Sequence, residues 1–114
     1  PYCSQCGKQS VIYKIPDNDT LHRHVCEHCH VIFYDNPKVV VGAVTTFQDS
    51  FLLCKRAIDP QKGLWTYPAG YLENQESLEE AALREANEEA GVTVKLTRLL
   101  GTYSLLAVNQ IHII

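Results

Sequence analysis

Two hydrophobic rhythms run along the chain, and the change from one to the other marks its elements. Residues 39–47 and 51–56 are rich in β-branched and aromatic side chains at strand-like spacing, with Gln48-Asp49-Ser50 between them as a turn. A hairpin is expected there. Shorter strand-like runs occupy Val11–Lys14 and residues 31–34, residues 92–104 alternate well enough for one or two strands around Gly101, and residues 110–114 read as a further strand. Residues 58–63 read as a loop. Asp35-Asn36-Pro37 has the composition of a turn and divides the chain into segments 1–36 and 37–114.

Between residues 77 and 91 the period changes to that of a helix. Ser77 followed three residues later by Glu80 is a capping box, and Gly91 stands where a left-handed residue would end the helix, so a helix over Leu78–Ala90 is predicted. At about 100° per residue, Leu78, Ala81, Ala82 and Ala86 share one face, and Glu85, Glu88 and Glu89 project within the same sector. Seven of the thirteen acidic residues lie between Glu73 and Glu89. A run of Glu ordinarily means a solvated face, but Glu79, Glu80 and Asn87 already supply one on the other side. Glu85 and Glu89 repel at i,i+4, and a half-buried carboxylate without a partner loses hydration that something must replace. A divalent cation is the partner this pattern calls for. Hard oxygen ligands favour Mg²⁺ or Mn²⁺ over zinc, which makes Glu85, Glu88 and Glu89 the candidate ligands.

A second metal signal lies near the start. Cys3-x-x-Cys6 and Cys26-x-x-Cys29 are separated by nineteen residues, the spacing at which two short thiolate pairs close on one tetrahedral Zn²⁺. Disulfide or redox chemistry fits less well, since neither pair opens a helix in a βαβ pattern. The reading is a zinc ribbon over residues 1–36, whose small apolar content makes the ion a main source of its stability. His22, His24, His28 and His30 crowd the second pair and are read as surface or supporting groups, the four sulfurs being sufficient. Cys54, amid apolar residues, reads as a small core side chain.

Taken together, Gly70, Glu76, Arg84-Glu85, apolar Ala86, Asn87, Glu88-Glu89, Ala90-Gly91 and apolar Val92 resemble, at the right spacing, the signature of the Nudix hydrolases. Leu64-Trp65-Thr66-Tyr67-Pro68-Ala69-Gly70 resembles the W-x-x-P-x-G strand that leads into it. Ala69 stands where many members have a second Gly, and Ala86 where a larger apolar residue is common. The resemblance implies an α+β chain: a small zinc ribbon followed by a Nudix α/β/α sandwich with a mixed sheet, incomplete at its C-terminus because the family's final helix is missing. Pro1 in place of Met implies missing N-terminal residues as well.

The resemblance further implies a catalytic set of Glu85, Glu88, Glu89, Arg84 and Glu76. In it the Gly70 carbonyl adds a metal bond, Arg84 holds Glu85, and Glu76 steadies the loop or reaches the ion through water. The implied reaction is Mg²⁺- or Mn²⁺-dependent attack of water on a nucleoside diphosphate linked to a group X, giving a nucleoside monophosphate and phosphorylated X. Either Glu85 or a Glu beyond residue 114 deprotonates the water. Arg56 is a phosphate-facing candidate by resemblance and a surface residue by base rate. Trp65 belongs either to the core or to a pocket edge, and Tyr67, Tyr71 and Tyr103 are stacking candidates for a flavin or adenine ring that could equally be packing.

Charge and hydropathy narrow the partners. A formal net charge of −3 without a basic run argues against nucleic acid, and no apolar stretch reaches the roughly 20 residues that span a bilayer. With no signal peptide, cytoplasm is the expectation. Leu99-Leu100-Gly101-Thr102-Tyr103-Ser104-Leu105 lacks the S-Q-P-W-P-F-P run of NADH and NAD-cap pyrophosphatases, so the resemblance points first to the ribbon-bearing bacterial and plant FAD and ADP-ribose pyrophosphatase-like group. The alternatives are an NADH or NAD-cap pyrophosphatase, and a non-catalytic nucleotide-sensing or zinc-ribbon binding module. A homodimer, common among such relatives, is the one protein partner the resemblance suggests.

Overall fold

The computed structural model describes residues 1–114, which fall into two compact units, Pro1–Asn36 and Pro37–Ile114. The first is a three-stranded antiparallel sheet of β1 (Val11–Lys14), β2 (Arg23–Cys26) and β3 (Ile32–Phe33), in the order β1-β2-β3. Tyr13 lies opposite His24, and His24 opposite Phe33. Only Cys3, Pro16, Val25 and Cys26 are buried here, too few to hold such a sheet by burial alone.

The second unit is built on a mixed four-stranded sheet. Its strands are β4 (Lys38–Gly42), β9 (Ala69–Tyr71), β10 (Thr102–Leu105) and β11 (Gln110–Ile113), in the order β10-β11-β4-β9. β11 runs parallel to β4, and the other two pairings are antiparallel. Two small two-stranded ladders accompany it: β5 (Thr46–Phe47) with β6 (Ser50–Phe51), and β7 (Cys54–Lys55) with β8 (Trp65–Thr66). A single 3₁₀ turn, Leu106–Val108, joins β10 to β11.

The helix α1 covers Leu78–Ala90, with both predicted caps in place. The Ser77 hydroxyl accepts from the Glu80 N–H and the Glu80 carboxylate accepts from the Ser77 N–H, at 3.1 and 3.2 Å. Gly91 closes the helix at φ 66°, a conformation that an L side chain would strain. Ala81 and Ala82 pack on Val41, with Val39, Ala43 and Leu72 around them. Small alanines let the helix approach the sheet closely, which brings the side chain one turn further on, Glu85, down onto β9. Leu78, expected on the buried face, is 37% exposed.

Three expectations about strands need correction. The run at residues 39–47 divides into β4 and β5, and that at 51–56 into parts of β6 and β7, so the hairpin is limited to β5 and β6. In the segment before the helix, Pro68 is fully buried and separates β8 from β9, because a proline has no N–H to give a ladder. Residues 92–101 form no strand, and pairing begins only at Thr102, where β11 supplies a partner. No helix in the chain is long and apolar enough to cross a membrane.

Candidate functional site

Arg84 is the centre of the acidic helix face. Its Nε and Nη2 form a two-pronged grip on Glu76, at 2.6 Å to Oε2 and 3.0 Å to Oε1. Nη1 donates to Glu85 Oε1 at 2.8 Å and to Glu88 Oε2 at 3.1 Å, and Nη2 also donates to the Tyr71 carbonyl at 3.1 Å. Glu76 in turn accepts from the Glu73 N–H at 3.1 Å, which ties the loop before the helix to the helix itself. Glu89 points elsewhere, accepting from the Ala69 N–H at 3.2 Å.

The three glutamates of the helix therefore differ in environment. Glu85 is buried, 7% exposed, whereas Glu88 and Glu89 are exposed. Burial pushes the Glu85 carboxyl above the ordinary carboxylate range, with the nearby Glu89 and Glu88 charges adding to it and the Arg84 bond and charge only partly opposing. Glu76 moves the other way, because Arg84 bonds its charged form more strongly than burial penalises it. Arg84 is held firmly cationic, first by Glu76 and then by Glu85. The carboxylates of Glu85, Glu88 and Glu89 do not converge on one point; Arg84 draws two of them and Ala69 the third.

Gly70 sits directly against this group. A Cβ built there would overlap the Glu85 carboxylate, so the backbone of β9 and the acid share a space that only glycine leaves open. The donor set at hand, carboxylates and backbone carbonyls, suits Mg²⁺ or Mn²⁺, and the two exposed acids can turn toward an ion at small cost. By charge and chemistry the residues fit such a cation.

In the other unit the four sulfurs of Cys3, Cys6, Cys26 and Cys29 all lie within 4.8 Å of one another. Cys3 and Cys29 stand 3.7 Å apart, Cys6 and Cys26 3.6 Å. A tetrahedral ion with bonds of about 2.3 Å to sulfur would set its ligands roughly 3.8 Å apart, close to both separations. Backbone N–H groups of Gln5 and Cys29 donate to Cys3 and Cys26 at 3.3 and 3.4 Å, and the Ser10 hydroxyl lies 3.1 Å from Cys26. The Cys29 N–H and Ser10 together bring the Cys26 thiol down to about 5, within reach of the thiolate a metal needs. For Cys29 a Val31 N–H favours the thiolate, but burial and the neighbouring sulfurs outweigh it and raise the thiol to about 12.

The remaining candidates are dispersed. Arg56 donates to the Pro60 carbonyl at 2.7 Å and so binds its own loop, and Trp65, 63% exposed, is not a core residue. Tyr67 and Tyr71 are linked through two groups that sequence reasoning missed: Tyr67 Oη lies 3.5 Å from His112 Nδ1, His112 Nε2 lies 2.9 Å from Gln110 Oε1, and Gln110 Nε2 donates to Tyr71 Oη at 3.2 Å. The i,i+2 spacing of Gln110 and His112, which puts both on one face of β11, was the available signal. Cys54 is half-buried beside the Glu89 carbonyl. No local pattern marked Ser10 or the Tyr71 carbonyl.

Comparison with known proteins supplies an independent line. Residues 36–112 match the family model described as NUDIX domain, and residues 1–35 match the zinc-ribbon model described as Nudix N-terminal. The ADP-ribose pyrophosphatase of Methanocaldococcus jannaschii is 41% identical over 71 residues, 62% of this chain and 42% of that protein. The NAD-capped RNA hydrolase NudC of Photorhabdus laumondii is 29% identical over 103 residues, 89% of this chain and 37% of that protein. Among solved structures, a NUDIX hydrolase from Nitrosomonas europaea superposes with a TM-score of 0.91 at 48% identity, covering 98% of this chain and 63% of that one. The chain thus spans less than half the length of these two curated relatives.

Proposed function

The chain belongs to the Nudix hydrolases, and from that premise we propose that it hydrolyses the diphosphate bridge of a nucleoside diphosphate linked to a second group, of the ADP-ribose or FAD type. The observation that carries this reading is the buried Glu85 seated over Gly70 and gripped by Arg84, a desolvated carboxylate whose cost Arg84 offsets only in part and a bound cation would offset further. Glu85, Glu88, Glu89 and the Gly70 carbonyl would hold Mg²⁺ or Mn²⁺, which when bound neutralises the bridging phosphates, lowers the pKa of a coordinated water and stabilises the departing phosphate.

The protein's own part is to hold and orient. Arg84 favours the charged form of Glu85, partly offsetting the penalty of burial, and points it at β9, and the Glu76 grip holds Arg84 in place. The Glu89 carboxylate, exposed and bonded only to the Ala69 N–H at the end of the same strand, is free to turn toward an ion. Within this chain, Glu85 is the candidate to remove the water's proton. In the ribbon, Cys3, Cys6, Cys26 and Cys29 would hold one Zn²⁺ with a structural role, since four protein ligands leave no open position.

For the second group, the greater identity to the ADP-ribose pyrophosphatase and the absence of an S-Q-P-W-P-F-P run favour an ADP-ribose or FAD type of substrate. An NAD-capped end is the second reading, favoured by the match to NudC along both the ribbon and the following domain. Turnover of ADP-ribose, FAD, NADH, diadenosine polyphosphates and an NAD-capped RNA with Mg²⁺ or Mn²⁺ separates the two. Glu85→Gln and Glu89→Gln should each lower turnover by about 10³-fold or more while leaving the zinc in place. Nucleotide binding without turnover across the whole panel would instead make the chain a sensor.

A further inference from the structure

Arg84 gives all five of its N–H donors to protein acceptors: two bonds to Glu76, one to the Tyr71 carbonyl, and one each to Glu85 and Glu88. Glu85 and Glu88 are also carboxylates assigned above to a divalent cation. One guanidinium therefore already stands in part of the place where a cation would act. Its bonds differ in how easily they are given up. The side chains of Glu76 and Glu85 are 13% and 9% accessible, whereas that of Glu88 is 58% accessible. An exposed i,i+4 pair is worth a few tenths of a kcal/mol and is surrendered readily, while a two-pronged, largely buried pair is not.

We propose that Arg84 is an exchangeable counter-ion: it holds Glu88 while no divalent cation is bound and releases it, but not Glu85, when one binds. Glu76 is the leash in this exchange. Anchored by its fork and by the Tyr71 carbonyl, the guanidinium cannot follow the acids into the cation's place. Without Glu76, two of its donors would turn to the remaining carboxylates and compete with the ion. Glu76 is then a positioning residue that acts on metal affinity through Arg84. The inference rests on the assignment of the cation to Glu85, Glu88 and Glu89.

The test is a double-mutant cycle read by Mn²⁺ affinity alone, with the free ion counted from its electron paramagnetic resonance signal in the full chain. Glu76→Gln should weaken binding about tenfold when Arg84 is present and by less than about twofold in an Arg84→Met background, a coupling within the usual range for contacting groups. Glu79→Gln, which removes the same charge from the far side of the helix, should change affinity by less than about twofold. Circular dichroism checks that each variant is folded. If Arg84→Met is not, Arg84→Lys replaces it, and because one ammonium cannot form the fork, the Glu76 effect should fall below about threefold. Equal losses in both backgrounds, or no loss on Glu76→Gln, would overturn the exchange while leaving the metal assignment standing. A wild-type chain that binds no Mn²⁺, or a Glu85→Gln variant that binds it unchanged, would remove the assignment and the exchange together.

Discussion

At the scale of single residues, Gly70 and Glu85 act as a pair. No side chain can be added at Gly70 without displacing a buried carboxylate or shifting β9, and neither moves freely. Gly70→Ala should cost about 1–3 kcal/mol of stability, the usual penalty of overpacking. It should also lower turnover at least about a hundredfold, since a displacement near 1 Å at a reacting site has that effect. Urea unfolding and steady-state rates check the two halves separately. Glu76 sets a pH dependence. Its folded pKa is depressed from the ordinary 4.5, so its contribution is complete above that pH and fades as the pH falls through the lower folded value. The stability gap between wild type and Glu76→Gln should accordingly be widest near pH 7 and shrink below about pH 4. Glu85 runs opposite: its folded pKa is raised, so the cost of keeping it charged is relieved on acidification.

At the scale of the element, α1 shows how local chemistry and tertiary contacts divide the work. Its limits are local, fixed by the Ser77–Glu80 box and the left-handed Gly91. Ser77→Ala should lower stability by about 1 kcal/mol in denaturant unfolding, with the helix still ending at Gly91. What the helix presents is not local. Periodicity put three glutamates in one sector, yet packing of Ala81 and Ala82 on Val41 buries only Glu85 and leaves Glu88 and Glu89 in solvent. The strands failed in the same direction. Residues 39–47 read as one strand because β-branched residues fit any pleated surface, but a ladder lasts only as long as a partner lies alongside. For residues 92–101 alternation existed without a partner, and no strand formed.

At the scale of the whole molecule, two units depend on different sources of stability. The Pro1–Asn36 unit buries only four residues, Cys3, Pro16, Val25 and Cys26, and gathers four sulfurs, so removal of a bound Zn²⁺ should unfold it. Backbone amides of β1–β3 should lose their hydrogen-exchange protection on treatment with a strong zinc chelator, and regain it on return of the ion; protection that survives complete zinc removal would show that burial alone suffices. The Pro37–Ile114 unit instead relies on the β4–α1 contact and on the Arg84 network.

Sequence by itself determined whatever depends on neighbours along the chain: the helix and its caps, the turn at residues 48–49 (Ser50, expected in it, opens β6), the two C-x-x-C pairs, and the spacing that identifies the family. These are legible because capping, helical period and ligand spacing act over a few residues and need no knowledge of the rest. Only the tertiary structure decided which carboxylate is buried, and that Arg84 divides its donors among Glu76, Glu85, Glu88 and the Tyr71 carbonyl. It also decided that Cys3 neighbours Cys29 and Cys6 neighbours Cys26. Those outcomes depend on desolvation and on groups brought together from distant positions, and neither quantity exists until the chain has folded.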